Sequence, residues 1–210
     1  DVHFFAESCH NGTKTVTFSP DFNMVAKYAD QWVPVHAGQD GAFWMAVTHV
    51  LLKEFHYDKQ TPYFIDYVKK YSDAPFLIEI EQKDGEYVSG KMLRANRIEK
   101  YKNTENGDWK FLNIDEATGD FICPGGSSGH RWGTVDGKWN MKAEDGETGQ
   151  NYNPILTLID KKDDVLQLNF TEFSSKKDSK RGVPVKYVKT HEGGTAIVAT
   201  VYDLLMAQYG

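Results

Sequence analysis

The first third of the chain alternates between short apolar runs that suit strands and longer apolar runs that suit helices. The β-branched and aromatic run at 13–18 predicts a strand, and 31–35 predicts a second one. The patterns at 22–28 and 38–55 predict helices. A short crossover between the two strands favours parallel pairing. This part of the chain therefore predicts an α/β lobe with parallel strands and flanking helices.

The predicted helix at 38–55 is unusual because apolar residues cover nearly every face of it. These residues are Ala42, Phe43, Trp44, Met45, Ala46, Val47, Val50, Leu51 and Leu52. Helices that are apolar all round are normally buried on several sides. We therefore expect this helix to lie between a sheet and more protein.

After Pro75 the pattern changes to short strands separated by turns, and Asp84-Gly85 between two alternating runs is a strong hairpin signal. Further predicted elements are a short helix at 94–101, strands at 109–114, 120–123, 155–159, 165–170, 183–190 and 195–200, and a last helix at 201–209. The predicted fold class is α/β, with a Rossmann-like lobe and a β-rich α+β insertion. The predicted domains are 1–74 (the lobe), 75–190 (the insertion) and 191–210 (the return to the main fold).

Composition narrows the possible partners. A formal net charge of −6 argues against nucleic acid, because phosphate binding requires clustered Lys and Arg. Cys9 and Cys123 are the two cysteines, so spacing supports neither a disulfide framework nor a cysteine metal site. No apolar run reaches membrane-spanning length.

Two short segments lie where ligands collect in α/β proteins. Ser19-Pro20-Asp21 follows the first predicted strand, and Gly38-Gln39-Asp40 opens the second predicted helix. Ligands bind outside the carboxyl ends of parallel strands, where helix N-termini offer free N–H groups. An acidic side chain there can accept hydrogen bonds from ribose or guanine. The other interpretation is that Asp21 and Asp40 are only helix caps.

Other chemistry is poorly supported by the sequence. The Gly-x-Ser-x-Gly pattern of the serine hydrolase nucleophile is matched by Gly125-Gly126-Ser127-Ser128-Gly129. That pattern requires a helix directly after it, and no helix start follows here, so we interpret the segment as a loop. The histidines form no His-x-x-x-His pair. We assign no catalytic residue and no metal ligand to this chain.

Several motifs resemble the molybdopterin oxidoreductase family. They are Lys14-Thr-Val-Thr-Phe-Ser-Pro-Asp21, Ala29-Asp-Gln-Trp32 and Gly38-Gln-Asp-Gly-Ala42. Other stretches are similar to the alpha chain of respiratory nitrate reductases, namely 49–56, 63–73, 91–95, 126–133, 137–140 and 200–204. The resemblance covers essentially the whole chain.

The resemblance implies an enzyme that reduces nitrate to nitrite at a molybdenum bis(molybdopterin guanine dinucleotide) centre. It also implies a [4Fe–4S] cluster in the parent enzyme, an iron–sulfur beta subunit, a haem-containing membrane gamma subunit and quinol as electron source. The location implied is the cytoplasmic face of the cell membrane, reached through the partner subunits.

The same resemblance assigns Ser19, Pro20, Asp21, Gly38, Gln39 and Asp40 to the guanosine end of one cofactor. Many family members have Asp-Pro-Arg where this chain has Ser19-Pro20-Asp21, so the ribose contact passes to the Ser hydroxyl, passes to Asp21 or is absent. The family's cluster ligands and molybdenum ligand fall outside this sequence, which therefore resembles an internal fragment. We expect the fragment alone to bind no cofactor and to be inactive. The alternatives are a free-standing nucleotide-binding module and part of a selenate- or chlorate-type reductase.

Overall fold

The computed structural model describes residues 2–126, 142–171 and 179–209. The chain divides into two compact units, Asp1–Leu51 and Leu52–Gly210, which we call the amino-terminal unit and the barrel unit. Both helices and strands, with parallel as well as antiparallel pairing, are present, so the predicted α/β class is confirmed. The predicted domain boundaries after 74 and after 190 stay predictions.

The amino-terminal unit is built from three helices and a pair of parallel strands. Its elements are α1 (Val2–His10), β1 (Val16–Ser19), α2 (Met24–Tyr28), β2 (Gln31–Pro34) and α3 (Asp40–Val50). Strands β1 and β2 are parallel, with a register that runs from Val16 opposite Gln31 to Ser19 opposite Pro34. The predicted parallel pairing is therefore confirmed, as are the four helix and strand positions that led to it.

The expected burial of the apolar helix is wrong for this chain. No residue of α3 is buried, and Trp44 is 63% exposed. An apolar surface shows that a helix is suited to burial, but burial also requires neighbouring residues that cover it. The amino-terminal unit by itself does not cover α3 enough to bury any of its residues.

The barrel unit begins where α3 continues into a π-helical segment, Leu51–Asp58. Its strands and helices are α4 (Pro62–Tyr71), β3 (Leu77–Lys83), β4 (Glu86–Met92), β5 (Asn113–Ile114), β6 (Phe121–Ile122), β7 (Pro124–Gly125), β8 (Lys142–Asp145), β9 (Asp164–Asn169), β10 (Lys180–Lys189), β11 (Thr195–Thr200) and α5 (Val201–Tyr209). Helix α5 lies where the sequence predicts the last helix. The Thr61-Pro62 start and the apolar stripe that follows it predict α4, and the stripe consists of Tyr63, Phe64, Tyr67, Val68 and Tyr71.

Five strands form a closed barrel in the order β10-β11-β3-β4-β9. The predicted hairpin is confirmed as β3–β4, and its turn residues Asp84 and Gly85 both have positive φ, as a tight hairpin turn requires. A parallel pairing of Tyr87 with Leu168 closes the barrel between β4 and β9. Buried side chains of four of its strands, together with Phe170 just after β9, form one cluster, which consists of Ile80, Leu168, Phe170, Val183, Val185 and Ala199.

Two predictions in the barrel unit are wrong. The expected helix at 94–101 consists of two 3-10 turns, Ala95–Arg97 and Glu99–Tyr101. The expected strand at 155–159 is irregular, although Ile155, Leu156 and Leu158 are buried. The N–H of Leu158 donates to the buried Asp203 carboxylate at 2.8 Å rather than to a strand. The short apolar run at 155–159 therefore predicted burial correctly and strand pairing wrongly.

Candidate functional site

The two candidate loops leave the same edge of the small parallel sheet. Ser19 and Pro34 are register partners at the carboxyl ends of β1 and β2, so the chain turns away from both strands at one edge. The ring of Phe18 packs on Phe43 of α3, with 4.1 Å between centroids. Because Phe18 precedes Ser19 directly and Phe43 lies in the first turn of α3, this contact brings the start of α3 to the end of β1.

Ser19 is the buried member of the predicted set, at 8% exposed. Its hydroxyl donates to the backbone carbonyl of Asp21 at 2.6 Å and accepts from Trp32 Nε1 at 3.1 Å. Trp32 Nε1 also donates to the Ser19 carbonyl at 3.1 Å. The Ser19 hydroxyl therefore holds the turn at Pro20 and Asp21 in place.

The interpretation of Asp21 as the cap of α2 is wrong. Asn23 is the cap, and its Oδ1 accepts from the N–H groups of Val25 at 3.0 Å and Ala26 at 3.1 Å. Asn and Asp cap helices equally well, so the sequence alone does not tell which of these two residues caps α2. The exposed Asp21 carboxylate has no hydrogen bond or ion pair within the part of the chain that the structure describes.

Asp40 is also not the cap of its helix. Gln39 occupies the cap position of α3 without a side-chain capping bond, and Asp40 lies in the first turn. An acidic residue in the first turn is favoured by the partial positive charge of the helix N-terminus. The Asp40 carboxylate has no hydrogen bond or ion pair among residues 2–126, 142–171 and 179–209.

The glycines around this turn leave its backbone open. Gly38 has a φ of +79°, a conformation that favours glycine, and no atom lies within 4 Å of the position that a Cβ would take. Gly41 likewise has open space at its Cβ position. The arrangement offers free helix N–H groups, an uncommitted carboxylate and room for a ligand to approach the main chain.

Sequence reasoning missed the residues that hold this edge together. Trp32 fixes Ser19 as described, and Asp30 ties the opposite ends of the strands by accepting from the Thr15 N–H at 2.8 Å. That backbone hydrogen bond, with Lys14 nearby, lowers the pKa of the Asp30 carboxyl. The signal available was a polar residue directly before the apolar run at 31–35, which the strand prediction did not use.

In cofactor- and nucleotide-binding α/β proteins, ligands bind at the carboxyl edge of parallel strands, where helix N-termini offer free N–H groups, and this unit has such an edge. The molybdopterin oxidoreductase family model matches residues 1–206, so the chain belongs to that family. A molybdenum–pterin cofactor is implied by this membership.

Individual relatives show which enzymes this chain is similar to. The chain is 39% identical over 222 residues to the respiratory nitrate reductase 1 alpha chain of Escherichia coli (strain K12), covering 100% of this chain and 18% of the relative. It is 37% identical over 214 residues to the nitrate reductase alpha chain of Bacillus subtilis (strain 168), covering 100% of this chain and 17% of the relative. The perchlorate reductase subunit alpha of Dechloromonas aromatica (strain RCB) is 36% identical over 83 residues, or 40% of this chain and 8% of the relative. The chain thus spans less than a fifth of the length of these relatives.

Two further observations concern metals and membranes. Within the described ranges, no group of three or more His, Cys, Asp or Glu side chains is arranged to hold a metal ion. No helix in the same ranges is long and apolar enough to cross a membrane. The predicted pattern at Gly125–Gly129 continues into residues that lie outside the described ranges.

Proposed function

We propose that this chain forms part of the catalytic alpha subunit of a respiratory nitrate reductase, where its amino-terminal unit binds the guanosine end of a molybdopterin guanine dinucleotide. One observation carries the proposal: Asp21 lies in the loop after β1 and Asp40 in the first turn of α3, at one carboxyl edge, and neither carboxylate is used as a helix cap. The full-length similarity to nitrate reductase alpha chains supports the choice of enzyme.

The six predicted residues divide into two roles under this proposal. Asp40, Gln39 and Gly38 bind the nucleotide through a carboxylate, a polar side chain and open main chain at the start of α3. Ser19 positions Pro20 and Asp21, since its hydroxyl is already engaged within the loop. Asp21 remains exposed and serves as the second carboxylate at the edge.

The cofactor fits the chemistry of these residues. Carboxylates accept hydrogen bonds from ribose hydroxyls and from the N–H edge of guanine, and the helix N-terminus favours the phosphate groups. When bound, the molybdenum centre supplies the two-electron reduction of nitrate to nitrite, with two protons taken up and water released. No residue of this chain is assigned to that chemical step, so the chain by itself is expected to have no reductase activity.

The remaining parts of the assembly belong to the same proposal. They are the bis(guanine dinucleotide) form of the cofactor, a [4Fe–4S] cluster, an iron–sulfur beta subunit, a haem-containing gamma subunit and a place on the cytoplasmic face of the membrane. The similarity to a perchlorate reductase over 83 residues keeps another oxyanion as a second candidate substrate. A free-standing nucleotide-binding module is disfavoured by the exposed apolar surface of α3.

The test is cofactor content in the complete alpha subunit. Asp40→Asn is expected to lower molybdenum and guanine nucleotide per subunit more than Asp21→Asn, because Asp40 also lies at the helix N-terminus. Asp66→Asn, at an exposed position of α4 in the barrel unit, is the matched control and is expected to retain full content. Full and equal content in all three variants would contradict the proposed site.

A further inference from the structure

The π-helical segment Leu51–Asp58 has two buried residues, Leu52 and His56. The His56 imidazole packs edge-on against the ring of Tyr202 in α5, with 4.6 Å between ring centroids. His56 is 7% exposed and Tyr202 is 1% exposed, so both side chains are more than nine-tenths buried. This ring pair joins the π-helical segment to the last helix inside the barrel unit.

Backbone hydrogen bonds are formed next to both rings. The His56 carbonyl accepts from the Gln60 N–H at 2.9 Å and from Gln60 Nε2 at 2.7 Å. The Tyr202 N–H donates to the Ala74 carbonyl at 2.9 Å. Both rings therefore project from hydrogen-bonded backbone.

The polar atoms at the ends of these rings are not engaged. Among the described residues, neither His56 Nδ1 nor Tyr202 Oη has a hydrogen-bond partner, although both atoms are inaccessible to solvent. Buried polar atoms in folded proteins nearly always have a partner, because leaving one unpaired is costly. Where no protein group is available, ordered internal water is the usual partner.

We propose that His56 Nδ1 and Tyr202 Oη bind one internal water molecule that bridges the two side chains. A hydroxyl can donate or accept, and a neutral imidazole nitrogen can do either according to its tautomer, so one water between the two contacting rings has the hydrogen-bonding capacity for both atoms. Burial, assisted by the charge of Lys69 on α4, lowers the pKa of His56 and so favours the neutral ring. The bridge fastens the π-helical segment to α5, and it does not depend on the function proposed above.

The first experiment compares the 210-residue chain with Tyr202→Phe. Oxygen-17 relaxation dispersion counts long-lived internal waters, and urea unfolding gives the unfolding equilibrium constant. Tyr202→Phe is expected to lose one long-lived water and to raise the unfolding constant about fivefold, which is typical of removing one hydrogen-bonding group. An unchanged or smaller unfolding constant would show that the hydroxyl was unpaired, and an unchanged water count would exclude the bridge.

Further variants separate a bridge from a direct bond. His56→Phe is expected to lose the same water, and the double variant is expected to cost less than the sum of the single changes, because one water serves both atoms. Non-additivity without loss of a water would indicate a direct His–Tyr hydrogen bond and would overturn the proposal.

Two tyrosines provide controls for the water count. Tyr101→Phe removes a fully buried hydroxyl that already has protein partners, Asp145 Oδ2 at 3.0 Å and the Phe121 carbonyl at 3.2 Å. It is expected to destabilise the chain while the water count stays the same. Tyr63→Phe, at 79% exposed, is expected to change neither quantity.

Discussion

The two units of this chain both contain helices and strands, but their interiors are very different. In residues 2–51, all of which the structure describes, Ala26 is the one buried hydrophobic residue. The large exposed hydrophobic residues there are Val2, Phe4, Val16, Phe18, Phe22, Met24, Val25, Tyr28, Trp44, Met45, Val50 and Leu51. The barrel unit instead has three buried clusters. Apolar composition alone therefore does not tell which part of a chain forms its own core.

The candidate carboxylates Asp21 and Asp40 also differ from a buried carboxylate of the barrel unit. In the barrel unit, Asp145 is 4% exposed and accepts from Lys100 Nζ at 2.9 Å and Tyr101 Oη at 3.0 Å. These hydrogen bonds join the 3-10 turn Glu99–Tyr101 to β8. Asp21 and Asp40 in the amino-terminal unit have no such partners in the described ranges. Carboxylates committed to hydrogen bonds are structural, whereas uncommitted carboxylates at a strand edge remain available to a ligand.

The largest expected effect tests the difference between the interiors. Leu168 is fully buried in the barrel, so Leu168→Ala is expected to lower the free energy of unfolding by about 2–5 kcal/mol. Trp44→Ala, at a site 63% exposed, is expected to change it by less than about 0.5 kcal/mol. Urea unfolding of the isolated chain measures both. Comparable losses would mean that the amino-terminal unit has a core of its own.

A second prediction concerns the buried carboxyl of Asp203. Burial raises its pKa to about 6 from 3.8, against the hydrogen bonds from Thr157, Leu158 and Thr200. Because the folded state then holds the proton more tightly than the unfolded state, this group stabilises the fold at low pH. Its contribution declines as the pH rises from about 4 through about 6.

Asp203→Asn removes this pH dependence. The difference in unfolding free energy between the parent chain and the variant is expected to change by about 1–3 kcal/mol between pH 4 and pH 7, in the direction of a weaker parent at pH 7. Urea titrations at several pH values measure it. A difference that does not vary with pH would mean that Asp203 titrates normally in the folded barrel unit.

The smallest effect is expected in the amino-terminal unit. Asp30→Asn replaces the carboxylate that accepts from the Thr15 N–H, while the Gln31 N–H still donates to the Thr15 carbonyl at 3.2 Å. Amide exchange at Thr15 and Gln31 is expected to quicken, with no change in β3 or β11. Because the pKa of Asp30 is lowered, its stabilising effect is present above the unfolded pKa and is lost as the pH falls. Unchanged exchange at both amides would show that the Asp30 carboxylate does not hold these strand ends together.

Local signals predicted the features that depend on neighbours in sequence. Turn chemistry at Asp84-Gly85 predicted the β3–β4 hairpin, and apolar periodicity predicted α4 and α5. The short crossover predicted the parallel pairing of β1 with β2, which in turn brought the two candidate loops to one edge.

The features that sequence reasoning missed depend on contacts between distant residues or on backbone geometry. The barrel closes through the parallel pairing of Tyr87 in β4 with Leu168 in β9. No local sequence pattern predicts a pairing between residues so far apart. The choice of Asn23 over Asp21 as a cap was decided by backbone geometry, since both residue types cap equally well. The role of Ser19 as a support for its own loop depends on Trp32, thirteen residues away.

Hydrogen exchange in the complete alpha subunit, with and without bound cofactor, tests the central claim most directly. If the amino-terminal unit binds the nucleotide end, cofactor is expected to protect amides in both loops, at 20–23 and 38–43, while the barrel strands β9 and β10 exchange at the same rate. Protection confined to the barrel unit, or unchanged exchange in both loops, would contradict the claim that this edge binds the cofactor.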